Sequence, residues 1–143
     1  RQNADSALVR LDQLIDRVRQ ETQKVNQLQF IVFHDAYQYF ERRFEVLAAG
    51  SISLSDAQDP SPARVAEIRD VVRNLNITCV FTEPQYNAGL VNNVFEGTSV
   101  KTIGVMDPLG AKIKVGKDQY GQLLNSMVGS LNECGHYWKN VEK

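Results

Sequence analysis

The stretch Phe-Ile-Val-Phe-His-Asp-Ala-Tyr-Gln-Tyr-Phe, residues 30–40, decides the fold. Its first four residues are aromatic or β-branched, which is typical of a buried strand, and a helix-like stretch follows from Ala36 to Arg43. His34 and Asp35 lie at the junction. Open α/β sheets bind ligands at the carboxyl ends of their strands, and imidazole is a common zinc ligand. His34 is therefore a candidate metal ligand; a hydrogen-bonded turn residue without a ligand is the alternative.

The alternation of strand and helix continues along the chain. We predict a long first helix at 3–27, later helices from Pro62 to Asn74, at 86–96 and from Asp118 to Trp138, further strands at 44–49, 77–81 and 99–105, and a loop at 50–63. This order predicts an α/β fold: one Rossmann-like lobe with a mostly parallel four-stranded sheet between helices, preceded by a long amino-terminal helix. The length of 143 residues suits one domain.

The first helix has an apolar stripe that needs a partner. Leu8, Leu11, Ile15, Val18 and Val25 recur at helical spacing. The stripe is predicted to pack either on the lobe itself or on a part of the protein outside this sequence.

Three titratable residues follow predicted strands. His34, Glu83 and Asp107 should lie at one edge of a parallel sheet, because right-handed crossovers align the carboxyl ends of its strands. Glu83 or Asp107 could then hold one nitrogen of the imidazole while the other binds metal. The alternatives are a helix-terminal acid for Glu83 and a turn-forming residue for Asp107. Asp35 is predicted to cap the helix after His34.

Composition narrows the functional classes. With 16 basic and 17 acidic residues the net charge is −1, which argues against a basic nucleic-acid-binding face. No apolar run approaches the length of a membrane span. The sequence has no Gly-x-Ser-x-Gly elbow, Walker loop or paired-glycine dinucleotide fingerprint. We therefore predict a binding protein and not an enzyme; a signalling receiver or small hydrolase of similar α/β order is the alternative.

Four short strings and a late cysteine occur in a specific order. They are Phe-His-Asp-Ala-Tyr at 33–37, Thr-Cys-Val-Phe-Thr-Glu-Pro-Gln at 78–85, Gly-Thr-Ser-Val at 97–100, Met-Asp-Pro-Leu-Gly at 106–110, and Cys134. In wording, order and spacing they resemble the zinc-specific solute-binding proteins that serve bacterial ABC transporters. The resemblance extends over residues 30–136, which is most of the chain.

The resemblance implies half of a zinc site. Mature proteins of this family have two lobes, with the zinc between them and two histidine ligands supplied by the amino-terminal lobe. Residues 1–28 would be the distal part of the connecting helix, and 29–143 the carboxy-terminal metal-binding lobe. His34 is the implied ligand. Asp107 is the second candidate, because related manganese- and zinc-binding members use an aspartate there, and Glu83 and Asp35 are supporting residues.

The resemblance also implies a location and partners. It implies a Cys79–Cys134 disulfide, export to the periplasm, and delivery of zinc to an ABC transporter permease; from the residues alone, two reduced thiols remain possible. Because the sequence begins at Arg1 without Met or a signal peptide, we expect an expressed fragment. Manganese is the alternative metal if carboxylates predominate. His136, in a weak Cys134-x-His136 pair, is expected to be exposed.

Overall fold

The helices and strands alternate as predicted. The computed structural model describes residues 2–53, 60–77, 79–86, 88–100 and 102–141. In chain order the elements are α1 (Gln2–Gln23), β1 (Phe30–His34), α2 (Gln38–Phe44), β2 (Gly50–Ser53), α3 (Pro62–Asn74), β3 (Cys79–Thr82), α4 (Ala88–Phe95), β4 (Thr102–Val105) and α5 (Gln119–Val141). The predicted α/β class is confirmed.

The four strands form one parallel sheet in the order β2-β1-β3-β4. His34 is in register with Ser53 on β2, and Thr82 is in register with Val105 on β4. Because all strands run the same way, their carboxyl ends lie along one edge of the sheet. The segments that carry Glu83 and Asp107 leave the sheet at that edge, beside His34.

Both faces of the sheet are buried. On β1, Phe30 and Val32 belong to a core that includes residues of α1, α2 and α5, whereas Ile31 and Phe33 belong to a second core that includes residues of α3 and α4. A strand covered by helices on both sides must be apolar at consecutive positions, since its side chains alternate between the two faces. This requirement explains the unbroken apolar run before His34.

Helix α1 is buried along only part of its length. Leu14, Val18 and Thr22 are buried, whereas Leu8 and Leu11 are 59% and 39% exposed. Of the two predicted partners, the lobe itself therefore covers the second half of the stripe, and the first half is left exposed in this structure. A helical period shows which residues share a face, but burial also needs a covering element.

The second predicted strand is wrong in position. Phe44 closes α2, and Glu45 adopts the left-handed conformation (φ 57°) that ends this helix. Strand β2 begins only at Gly50, inside the predicted loop, and buries Ile52 fully. Pairing with β1 outweighs the weak strand preference of the Gly and Ser residues in this segment. Residues 54–59 of the predicted loop lie outside the described residues.

Helix α3 has the predicted bounds and beginning. The side-chain oxygen of Ser61 accepts a hydrogen bond from the backbone N–H of Arg64 (3.2 Å), and Pro62 opens the helix. None of the helices within the described ranges is long and apolar enough to cross a membrane.

A disulfide joins the sheet to the last helix. It links Cys79 at the start of β3 to Cys134 on α5, whose Cα atoms lie 6.2 Å apart across 55 residues of sequence. Both residues are buried in the core between the sheet and α5. The pairing implied by the family resemblance is therefore present in the structure.

Candidate metal centre

The imidazole of His34 is held at one of its two nitrogens. Nδ1 of His34 lies 2.7 Å from Oε1 of Glu83, where the side chain of Glu83 is 2% exposed and that of His34 20%. With Glu83 ionised, the Nδ1–H donates to the carboxylate and the lone pair stays on Nε2. This is the arrangement that metal-binding histidines commonly show, because a carboxylate partner fixes both the tautomer and the ring orientation.

Glu83 is a buried hydrogen-bond partner of the imidazole and not a surface charge. Desolvation raises the pKa of Glu83, and the neighbouring imidazole of His34 offsets this only in part. The carboxyl group lies well before α4, which begins at Ala88. Its side chain is hydrogen-bonded to His34, and a supporting role beside a metal stays a prediction.

Sequence reasoning missed the role of Tyr37. This residue is 3% exposed, and its hydroxyl donates a hydrogen bond to the backbone oxygen of Met106 (3.0 Å). Burial and the neighbouring charge of Glu83 raise the pKa of Tyr37, so it stays protonated. One buried hydroxyl thus ties the start of α2 to the segment after β4. Its place three residues after His34 in the Phe-His-Asp-Ala-Tyr string was the available signal.

Aromatic rings flank the imidazole. The ring centroid of Tyr86 lies 5.7 Å from that of His34, and Tyr37 lies at 6.5 Å on a second side. Tyr86 is itself stacked on Phe33, with ring centroids 4.1 Å apart and planes 22° apart. These contacts limit the orientations that the imidazole can adopt, and so support the one set by Glu83.

Asp107 organises the loop after β4. Its Oδ1 accepts hydrogen bonds from Nε2 of Gln85 and the backbone N–H of Leu109, both at 3.0 Å, and its Oδ2 accepts one from the N–H of Ala111 at 2.6 Å. Partial burial alone would raise the pKa of Asp107, but these donors and the N–H of Gly110 hold it below its usual value. The turn-forming interpretation is thus confirmed, while a role as metal ligand stays a prediction.

The structure brings the three predicted residues to one edge but not into one complete site. Met106, directly before Asp107, donates its N–H to Thr82, directly before Glu83 (2.9 Å). Within the described part of the chain, however, no three His, Cys, Asp or Glu side chains are grouped so that they could hold a metal ion. A metal on His34 would need ligands from elsewhere.

Asp35 does not cap the helix after His34. Its Oδ2 accepts a hydrogen bond from Nε2 of Gln38 (2.6 Å), while Tyr37 is the residue at the cap position of α2 and makes no side-chain cap bond. A tight turn, in which the N–H of Ala36 donates to the backbone oxygen of His34 (2.9 Å), delays the helix and moves Asp35 away from its first turn. The capping prediction is wrong.

The carboxy-terminal Cys-x-His pair does not form a metal site by itself. His136 is exposed on α5, as predicted. Cys134 is buried in the disulfide with Cys79, and a disulfide sulfur lacks the thiolate charge that binds zinc.

Comparison with known proteins identifies the family of this chain. The sequence profile of the family described as ZnuA, zinc-uptake complex component A periplasmic, matches residues 1–134. The chain is 48% identical to the high-affinity zinc uptake system protein ZnuA of Brucella abortus over 132 residues, which are 92% of this chain and 39% of that relative. The chain therefore spans well under half the length of this relative.

Solved structures show the same fold. The laminin-binding protein Lbp of Streptococcus pyogenes superposes with a TM-score of 0.71 at 26% identity, covering 91% of this chain and 52% of its own. A crystal structure of ZnuA gives a TM-score of 0.72 at 23% identity, covering 90% of this chain and 45% of its own. The profile match and the Brucella identity show that the chain belongs to the ZnuA family, described as zinc-uptake complex component A periplasmic.

Proposed function

We propose that this chain carries one half of an interlobe zinc site, and that the whole protein captures zinc in the periplasm and delivers it to an ABC transporter permease. The observation that supports this most is the pair of His34 and Glu83, in which a buried carboxylate holds Nδ1 at 2.7 Å and leaves Nε2 to bind metal. In this proposal His34 is the ligand that the chain supplies, and Asp107 is a second candidate ligand.

The remaining ligands belong to the amino-terminal lobe. Zinc sites in proteins take three or four protein ligands, and this chain offers one imidazole with one or two carboxylates. By family resemblance the amino-terminal lobe supplies two histidines. We accordingly propose that residues 1–28 are the distal part of the helix connecting the lobes, and that 29–143 form the carboxy-terminal lobe.

An apolar groove beside the site supports the amino-terminal lobe as the partner of this chain. It has a volume of about 540 Å³, and Tyr37 and Pro108 at its edge adjoin the site. Its apolar lining includes Leu11, Leu14, Ile15, Phe40, Tyr120 and Leu124. A lobe that completes the zinc site would cover this groove, and with it the exposed first half of α1.

The site favours zinc over manganese and binding over catalysis. Imidazole suits zinc, whereas manganese prefers oxygen ligands, and the carboxylate of Glu83 is occupied by the ring of His34. A manganese-binding member of the family is the alternative. A buried disulfide agrees with the oxidising periplasm. We propose no enzymatic reaction, because the carboxylate of Glu83 is hydrogen-bonded to His34 and that of Asp107 is hydrogen-bonded to the loop after β4.

Zinc titration of this chain, followed by NMR, tests the proposal. We expect zinc to shift the ring signals of His34 with an affinity several orders of magnitude below that of a complete site, because most ligands are missing. His34→Ala should abolish the site-specific shifts. His136→Ala, which removes the chain's other histidine, is the matched control and should leave them unchanged.

Two results would contradict the proposal. Unchanged zinc shifts in a folded His34→Ala variant would remove His34 from the site. Tight, stoichiometric zinc binding by this chain alone would show that it carries a complete ligand set and not half of one.

A further inference from the structure

We propose that Gln85 sets the metal preference of this site by occupying the carboxylate of Asp107. The inference rests on the proposed role of His34 as zinc ligand and adds a residue that determines specificity. Gln85 lies two residues after Glu83, so the same segment that holds the imidazole also engages the carboxylate of Asp107 after β4.

The geometry shows how fully Asp107 is engaged. Oδ1 accepts from both Gln85 Nε2 and the N–H of Leu109 at 3.0 Å, and Oδ2 accepts from the N–H of Ala111 at 2.6 Å. Each carboxylate oxygen offers about two lone-pair sites. Oδ1 is therefore saturated, and a cation could bind it only after a donor has left, whereas Oδ2 accepts one hydrogen bond and keeps one site.

Gln85 is the donor that can leave. The N–H groups of Leu109 and Ala111 are fixed by the loop, where Gly110 adopts a left-handed φ of 66° and its carbonyl accepts a hydrogen bond from Ile113 (2.9 Å). Gln85 is instead an exposed side chain on rotatable bonds. Moving it breaks one hydrogen bond without disturbing the loop.

The consequence for metal choice follows from ligand chemistry. A site that offers imidazole and only one open carboxylate oxygen suits zinc, whereas manganese depends more on oxygen ligands. The Gln85–Asp107 bond must be broken before Oδ1 can bind a cation. A net hydrogen bond of this kind corresponds to about two- to tenfold in affinity, so Gln85 disfavours manganese by about that factor.

Separate titrations of this chain with ZnCl₂ and MnCl₂ test the proposal. In Gln85→Ala, manganese affinity should rise about two- to tenfold, seen as stronger paramagnetic broadening of the amide signals of Leu109 and Ala111. Zinc affinity, read from the ring of His34, should rise less, so the manganese-to-zinc ratio increases. Asp107→Asn in the Gln85→Ala background should cancel the gain, because the freed carboxylate is then absent.

Gln38→Ala is the matched control. It removes a bond of the same type, from Gln38 Nε2 to Asp35 Oδ2 (2.6 Å), and should leave the broadening at Leu109 and Ala111 unchanged. An equal gain in Gln38→Ala, or an unchanged metal ratio in Gln85→Ala while zinc still binds His34, would overturn the role of Gln85 and leave the proposed function intact. Absence of zinc at His34 in the unaltered chain would overturn both.

Discussion

Nδ1 of His34 and Oε1 of Glu83 lie 2.7 Å apart although 49 positions separate them in sequence. They meet because β1 and β3 are adjacent parallel strands, so the residues that end or follow them leave the sheet at the same edge. The position of the imidazole is therefore set by the sheet and not by a flexible loop, and in the proposed site the partner at Nδ1 leaves Nε2 for the metal.

Removing the carboxylate of Glu83 should weaken zinc binding at His34. We expect Glu83→Ala to lower the zinc affinity of this chain by about 10- to 100-fold, the usual effect of losing the partner of a metal-bound histidine. Glu83→Gln should lose less, because its amide oxygen can still accept from Nδ1. Zinc titration monitored at the His34 ring gives both values, and circular dichroism checks the fold. Equal affinity in all three proteins would mean that Glu83 does not position the ring.

Tyr37→Phe should destabilise the fold. Without the hydroxyl, the buried backbone oxygen of Met106 loses a hydrogen bond of 3.0 Å. An unsatisfied buried acceptor costs about 1–3 kcal/mol, so we expect the free energy of unfolding to fall by that amount in urea denaturation. Tyr39→Phe is the control: that ring is 93% exposed, and its change should stay within about 0.5 kcal/mol. Similar losses in both variants would exclude a special role for the Tyr37 hydroxyl.

The sheet could be predicted from sequence wherever its strands are apolar. The run before His34 and the segment around Val80 and Phe81 are buried on both faces, so both left a clear pattern. Strand β2 left no such pattern, because its single apolar residue, Ile52, has a serine on each side and the strand is stabilised by pairing with β1. For a related reason the sequence left the partner of α1 open: the pattern of Leu8 and Leu11 shows a face but not what covers it.

The residues of the site could be predicted only in part. The convergence of His34, Glu83 and Asp107 follows from strand order alone. The hydrogen bonds of Tyr37 and Gln85 join segments far apart in sequence, so their partners could not be predicted from a local pattern, although the Phe-His-Asp-Ala-Tyr string drew attention to Tyr37. Asp35 was misassigned because its distance from the helix depends on a single tight turn.

The disulfide should contribute strongly to stability. The chain-entropy model gives about 4 kcal/mol for a loop of this length, an upper figure because residual structure in the unfolded chain reduces it. We expect the Cys79→Ala/Cys134→Ala double variant to lose about 2–4 kcal/mol of unfolding free energy. Alkylation of denatured, unreduced protein should add no mass. Two alkylated cysteines in that experiment would show that the thiols are free.

The loop after β4 should be sensitive to acid through Asp107. Hydrogen bonds from Gln85 and from the N–H groups of Ala111, Leu109 and Gly110 outweigh partial burial and hold the pKa of Asp107 below its ordinary value. A carboxyl whose pKa is lower in the folded state stabilises that state at all pH values above its unfolded pKa of about 3.9. This contribution is lost as pH falls through the lower folded-state pKa.

NMR of the metal-free chain between neutral pH and the acid range should show this directly. The amide signals of Leu109 and Ala111 should stay constant down to about pH 4 and then move together as Asp107 is protonated, since its oxygens accept from both groups. Asp107→Asn should remove the transition from these two signals, which separates it from the protonation of other carboxyls. A midpoint at or above the ordinary value for aspartate would show that the loop does not stabilise the ionised form.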